Sequence, residues 1–227
     1  MKFFTIALLV LKKDFAIELK SYEILSTTLF FAVSCVAMFS FAFVKEGEAA
    51  YPDAAAGILW IAIAFAGTLA LGRTFERERY GETLKALLLA PTPRPAIYVG
   101  KLLGIVALLF ATEALIVPMI AFLFHAKLFE QSLRLTALLG LGTVGYAAVG
   151  TLFAAMLVRT RSRDVLLPIL LYPVTIPVMI AGVRGTAALL ESPADLPIAN
   201  LWIAMLGFFD VVFVTLSLWM FEPLMTE

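Results

Sequence analysis

The sequence predicts an all-α membrane protein with six transmembrane helices, and three observations carry that prediction. Of 227 residues, 62% are hydrophobic and 15% charged, where a soluble domain holds about 45–50% and about 25%. Six apolar stretches are long enough to cover a hydrocarbon core of about 30 Å at about 1.5 Å per residue. They are 24–44, 54–72, 102–124, 135–158, 165–183 and 198–221, and they contain only two formal charges, Glu113 and Asp210. The third observation is a one-sided distribution of Lys and Arg between the connections. Long uninterrupted apolar runs argue against a β-barrel, whose strands alternate over short segments. The whole chain, 1–227, therefore reads as one transmembrane domain.

The first 23 residues precede the first span. Residues 3–11 form an apolar run too short to cross a bilayer, and Lys12-Lys13-Asp14 follows with no small-residue cleavage site. Wound as a helix, Lys2, Lys12, Lys13 and Lys20 share one arc of about 100°. Phe4, Leu8, Leu11, Phe15 and Leu19 cluster on the adjoining face. The pattern predicts an amphipathic helix lying in the membrane interface.

Orientation follows from the short connections. Lys2, Lys12, Lys13 and Lys20, then Arg73, Arg77, Arg79, Lys85, Arg94 and Lys101, then Arg159, Arg161 and Arg163 fall on one side. Lys45, Lys127, Arg134 and Arg184 fall on the other. The richer side is expected to be cytoplasmic, with both termini there. The formal net charge of zero gives no reason to expect nucleic acid. One cysteine and one histidine exclude a disulfide framework and an intrachain Cys/His metal cluster.

The informative connection is 73–101. Glu76-Arg77-Glu78-Arg79 alternates in charge where the second span leaves the membrane, and Gly81 breaks that helix. A short helix follows from Glu82 to about Ala90, with Thr83 in its first turn and Leu84, Leu87 and Leu88 on one face. Pro91, Pro93 and Pro95 stiffen the exit, and Pro95 suits the first turn of the third spanning helix. Two turns are too short to stand alone, so this helix is expected to dock, with its charged rim facing a soluble partner.

Phe75-Glu76, Gly81-Glu82-Thr83-Leu84, Leu87-Leu88, Pro91 and Gly100-Lys101 together resemble the signature of ABC-2 type permeases. The run from Arg161, through Arg163, Asp164, Pro168 and Pro173, to Pro177 resembles the fifth-span entry of the CcmB family, the haem exporter permeases of cytochrome c maturation. The resemblance covers essentially the whole chain. It implies an ABC-2, type II exporter-like permease fold in the bacterial inner membrane, with 73–101 as the coupling segment for an ATP-binding subunit. It further implies a CcmA-like ATPase, CcmC-like and CcmD-like proteins, the haem chaperone CcmE, and a second permease copy as partners. ATP would sit on the ATPase, and haem would be the substrate of the complex rather than a cofactor of this chain. Two alternatives are an ABC-2 exporter of a lipid, glycan or drug, and a secondary transporter or scaffold. The chain has no ATP-binding loop of its own, because Leu102 follows Gly100-Lys101 where a P-loop needs Ser or Thr, and Pro95 replaces the first glycine.

Several residues remain open between a functional and a packing role. Glu113 and Asp210 read either as a polar latch between spans with a bundle-facing partner, or as protonated packing residues. Pro168, Pro173 and Pro177 each remove a backbone donor, so the fifth span is expected to be kinked or locally unwound. Arg159, Arg161 and Arg163 are expected to anchor the turn before it at lipid headgroups. His125 reads either as a polar boundary residue or, in a haem-handling complex, as an axial ligand. Tyr51, Trp60, Tyr98, Tyr146, Tyr172, Trp202 and Trp219 include interface anchors. Gly140, Gly142, Gly145 and Gly150 allow close helix approach, within the chain or between two copies.

Overall fold

The computed structural model describes residues 2–43, 52–74, 93–158, 160 and 162–224. Seven helices account for nearly all of them: α1 Lys2–Ser21, α2 Glu23–Phe43, α3 Pro52–Thr74, α4 Arg94–Leu123, α5 Ser132–Met156, α6 Arg163–Leu190 and α7 Leu196–Leu224. Helices α2 to α7 are the six that are long and apolar enough to cross a membrane. The expected all-α class with six membrane-spanning helices is what the chain adopts, and no strand occurs among the described residues.

Local chemistry sets the helix ends. Between α1 and α2 the chain turns at Tyr22, whose φ is 50°. The free backbone N–H of Leu25, in the first turn of α2, donates to Glu18 Oε1 at 2.8 Å. Helix α4 opens with Pro95 in its first turn, as its fixed φ favours. It closes at His125, whose φ of 50° lets the Ala126 N–H reach back to the Ala121 carbonyl at 3.1 Å. That is the Schellman closure, and it gives the lone histidine a backbone role. Asp195 starts α7 by accepting from the Ile198 N–H at 3.1 Å.

Helix α5 is the centre of the bundle, packing against α3, α4, α6 and α7, while α2 lies at the edge on α3 and α4. Lipid chains are as apolar as leucine, so helices in a membrane associate through fit rather than through water exclusion. The fit here is built from glycines. The Trp60 indole from α3 occupies the space that a Cβ at Gly142 of α5 or at Gly182 of α6 would need. Its Nε1 donates to Thr186 Oγ1 at 3.0 Å. Leu71 fills the notch at Gly150, and Phe209 with Asp210 fills the notch at Gly145. Gly142, Gly145 and Gly150 thus serve packing within the chain, whereas Gly140 faces open space.

The start of α2 meets the end of α3, and the start of α4 meets the end of α7, at one end of the bundle. Arg73 at the end of α3 pairs with Glu23 at the start of α2 at 3.2 Å. Near the start of α4, the Tyr98 ring lies 5.3 Å from the Phe221 ring of α7. The segment after α3 and before α4 leaves from this same end.

Candidate functional site

Of the expected coupling residues, Glu76, Arg77, Glu78, Arg79, Gly81, Thr83, Leu84, Leu87 and Leu88 lie outside the described residues, as do Arg159 and Arg161. What the structure does show is how their flanks are held. Leu71, one turn before α3 ends, is keyed into Gly150. Thr68 Oγ1 lies 2.7 Å from the Tyr146 hydroxyl and 3.1 Å from the Tyr172 hydroxyl, tying α3 to α5 and α6. Tyr146 also donates to the Ala64 carbonyl at 2.7 Å.

On the other flank, α4 begins at Arg94, so residues 94–101 are its first two turns rather than connection. The Tyr98 hydroxyl donates to the Ala148 carbonyl of α5 at 2.9 Å. Lys101, counted above as a basic residue of the connection, is 2% exposed and its Nζ lies 2.8 Å from Asp14 Oδ2 of α1. A buried ammonium demands such a partner, because desolvating it alone costs several kcal/mol, of order 5. Beside it, a Cβ at Gly100 would lie 2.7 Å from the Ala7 carbonyl oxygen and 2.8 Å from Val10 Cβ, so only glycine lets α1 approach this closely.

The two intramembrane carboxyls are separate. Glu113 of α4 is buried and accepts a hydrogen bond from Thr143 Oγ1 of α5. Asp210 of α7 is buried too, but neither of its carboxyl oxygens has a hydrogen-bond partner among the described residues. Among the described residues the expected bundle-facing partner is therefore present for Glu113 and absent for Asp210, and the two carboxyls are not hydrogen-bonded to each other. Glycine at 145 explains the burial of Asp210, since it leaves a recess for the carboxyl.

Three further expectations change. Helix α6 runs unbroken from Arg163 to Leu190 through Pro168, Pro173 and Pro177, so of the two expected outcomes, a kink or local unwinding, the unwinding does not occur. Each proline removes one rung of the ladder, and the Thr175 hydroxyl adds a bond to the Leu171 carbonyl at 2.9 Å. Arg163 is buried rather than presented to headgroups, with its Nε 3.9 Å from the exposed Asp164. Trp60, Tyr98 and Tyr146 are fully buried, because their polar tips find acceptors inside the bundle instead of at an interface. Trp219 is exposed.

Among the described residues no group of His, Cys, Asp and Glu has the arrangement of a metal site. The geometry is that of a membrane-embedded helical bundle whose polar residues join helices to one another, which defines a multi-pass membrane protein. The family model described as CcmB protein matches residues 5–223. The chain belongs to the CcmB family. It is similar to Heme exporter protein B of Rhodobacter capsulatus, with 29% identity over 173 residues, 76% of this chain and 78% of the relative. It is also similar to Heme exporter protein B of Pseudomonas aeruginosa, with 29% identity over 188 residues, 81% of each.

Proposed function

We propose that this chain is the membrane-spanning permease subunit of an ABC transporter complex that acts in haem export, or in release of a haem-loaded chaperone, during cytochrome c-type biogenesis. Family membership over residues 5–223 is the observation that carries the reading. ATP is hydrolysed by a separate CcmA-like subunit, which docks on the connection between α3 and α4, and CcmC-like, CcmD-like and CcmE-like proteins complete the assembly. The chain sits in the bacterial inner membrane with both termini in the cytoplasm, as the Lys/Arg asymmetry favours. Its N-terminal helix rests in the inner-leaflet interface with lipids as its partner. The chain itself carries no catalytic residue, and haem is cargo of the complex.

Reversing both charges, Glu76→Lys with Glu78→Lys, tests the docking surface. Unfavourable charge juxtaposition costs several kcal/mol, of order 3, at a protein interface, so the ATPase subunit should no longer copurify with the permease from detergent-solubilised membranes. Undiminished copurification with an unchanged ATPase rate overturns the docking assignment. Deletion of the chain should abolish covalent cytochrome c, and normal holocytochrome in the deletion strain points instead to another exported substrate.

A further inference from the structure

Helix α1 leans on α4 and barely touches α2. The contact runs through Ala7 and Val10 at Gly100, Leu11 at Gly104, and Asp14 on Lys101. The rest of its circumference is uncovered. Phe4 is 73% exposed, Leu8 61% and Leu19 59%, and the exposed Lys12 and Lys20 lie on the arc beyond them. A helix with one face on protein, one apolar face free and one lysine face is shaped to lie in a membrane interface. On the far side of the same α4 turn, Tyr98 binds α5 through its hydroxyl and α7 through its ring. Residues 98–101 are thus the point where α4 is joined to α1, α5 and α7 at once.

We infer that the Asp14–Lys101 ion pair, seated beside the Gly100 notch, clasps the start of α4 to a surface-lying α1, so that a push on the preceding connection pivots α4 instead of sliding it along its axis. This rests on the reading of the connection between α3 and α4 as the place where the ATPase acts. The physical reason is the difference between the two motions. Sliding α4 carries α1 with it and drags Phe4, Leu8, Phe15 and Leu19 out of the acyl layer, or else separates a buried ammonium from its carboxylate. Pivoting about residues 98–101 does neither, and it swings the remainder of α4, including Glu113, against α5. Asp14 and Lys101 are positioning residues, and neither touches cargo.

The test uses the intact membrane complex. Lys101→Met and Asp14→Asn, each alone, retain the ATPase subunit and its hydrolysis while holocytochrome c formation falls about tenfold or more, and the exchange Asp14→Lys with Lys101→Asp restores formation to within about threefold of wild type. A space-filling role for the lysine stem predicts no such rescue. Because an unbalanced buried charge can itself prevent insertion, Asp14→Asn combined with Lys101→Met removes both charges. That double variant accumulates in the membrane like wild type and still loses output. Normal output from the double variant, or an exchange variant that stays inactive, overturns the clasp while leaving the docked ATPase in place. Absence of the ATPase subunit from the purified wild-type complex overturns the docking reading, and the clasp falls with it.

Discussion

Two seams in this bundle are opened by glycine and closed in different ways. Where α3 meets α5 and α6, an indole from α3 enters a slot between Gly142 and Gly182, and a single neutral hydrogen bond to Thr186 fixes its tilt. Where α1 meets α4, Gly100 brings the two backbones together and a charged pair, Asp14 with Lys101, locks them. The first seam is shape with neutral hydrogen bonds, buried within the bundle and free of charge. The second lies at the end of the bundle where α4 starts and α7 ends, and it depends on an ion pair that other charges can disturb. A permanent core suits the first chemistry. A joint that must bear load beside a moving partner suits the second.

Trp60→Ala breaks the uncharged seam and carries the largest expected effect. Truncating a buried tryptophan costs about 3–5 kcal/mol, and here the two facing glycines have no side chains with which to refill the void. Denaturant titration of the purified protein in detergent micelles checks this. A loss below about 1 kcal/mol would mean that the helices close over the gap, as well-relaxing cavity sites do, and that the slot is not a key. Thr186 is also left with one hydrogen bond fewer.

Gly100→Ala addresses the second seam and should cost less, about 1–3 kcal/mol, as overpacked sites do. The new methyl meets the Ala7 carbonyl and Val10 Cβ, and a backbone oxygen cannot rotate away as a side chain can. Relief comes by lifting α1, which strains the Asp14–Lys101 pair. The expected signature is lost protection of α1 from proteolysis, with α3 to α7 unaffected. Equal protection in both proteins would show that α1 shifts without loosening.

How much of this the sequence discloses depends on range. The six spans are legible because a long apolar run with two charges in it has one low-energy solution in a bilayer. Pro95 is legible as a first-turn residue because its constraint is local. Lys101 is not, since counting lysines by connection tells which side of a membrane they favour and nothing about where an ammonium finds a carboxylate. Its partner sits in α1, on the far side of two spans in the chain. The glycines of α5 announce a close approach, but what approaches is Trp60 of α3 and Asp210 of α7, a fact of tertiary register. Tyr98 and Tyr146 look like belt residues for the same reason, because the carbonyls that bind them, of Ala148 and Ala64, belong to other helices. The one histidine invites a ligand role by its chemistry, yet what position 125 asks of its residue is a left-handed backbone.

The smallest effect sharpens the comparison from outside both seams. Arg73 and Glu23 form an ion pair at 3.2 Å with side chains 40% and 60% exposed. It links α2 to the last turn of α3 at the same end of the bundle as the Asp14–Lys101 pair, and by geometry alone the two look equivalent. Exposure separates them. A solvated pair gains little over its hydrated partners and contributes about 0–1 kcal/mol, so Arg73→Ala should leave the denaturation midpoint almost unmoved and raising the salt concentration should change nothing further. If Arg73→Ala instead destabilises as much as Gly100→Ala does, then proximity to the connection, and not burial, decides which ion pairs this bundle relies on. The contrast between the buried Asp14–Lys101 pair and the exposed Arg73–Glu23 pair would then fail.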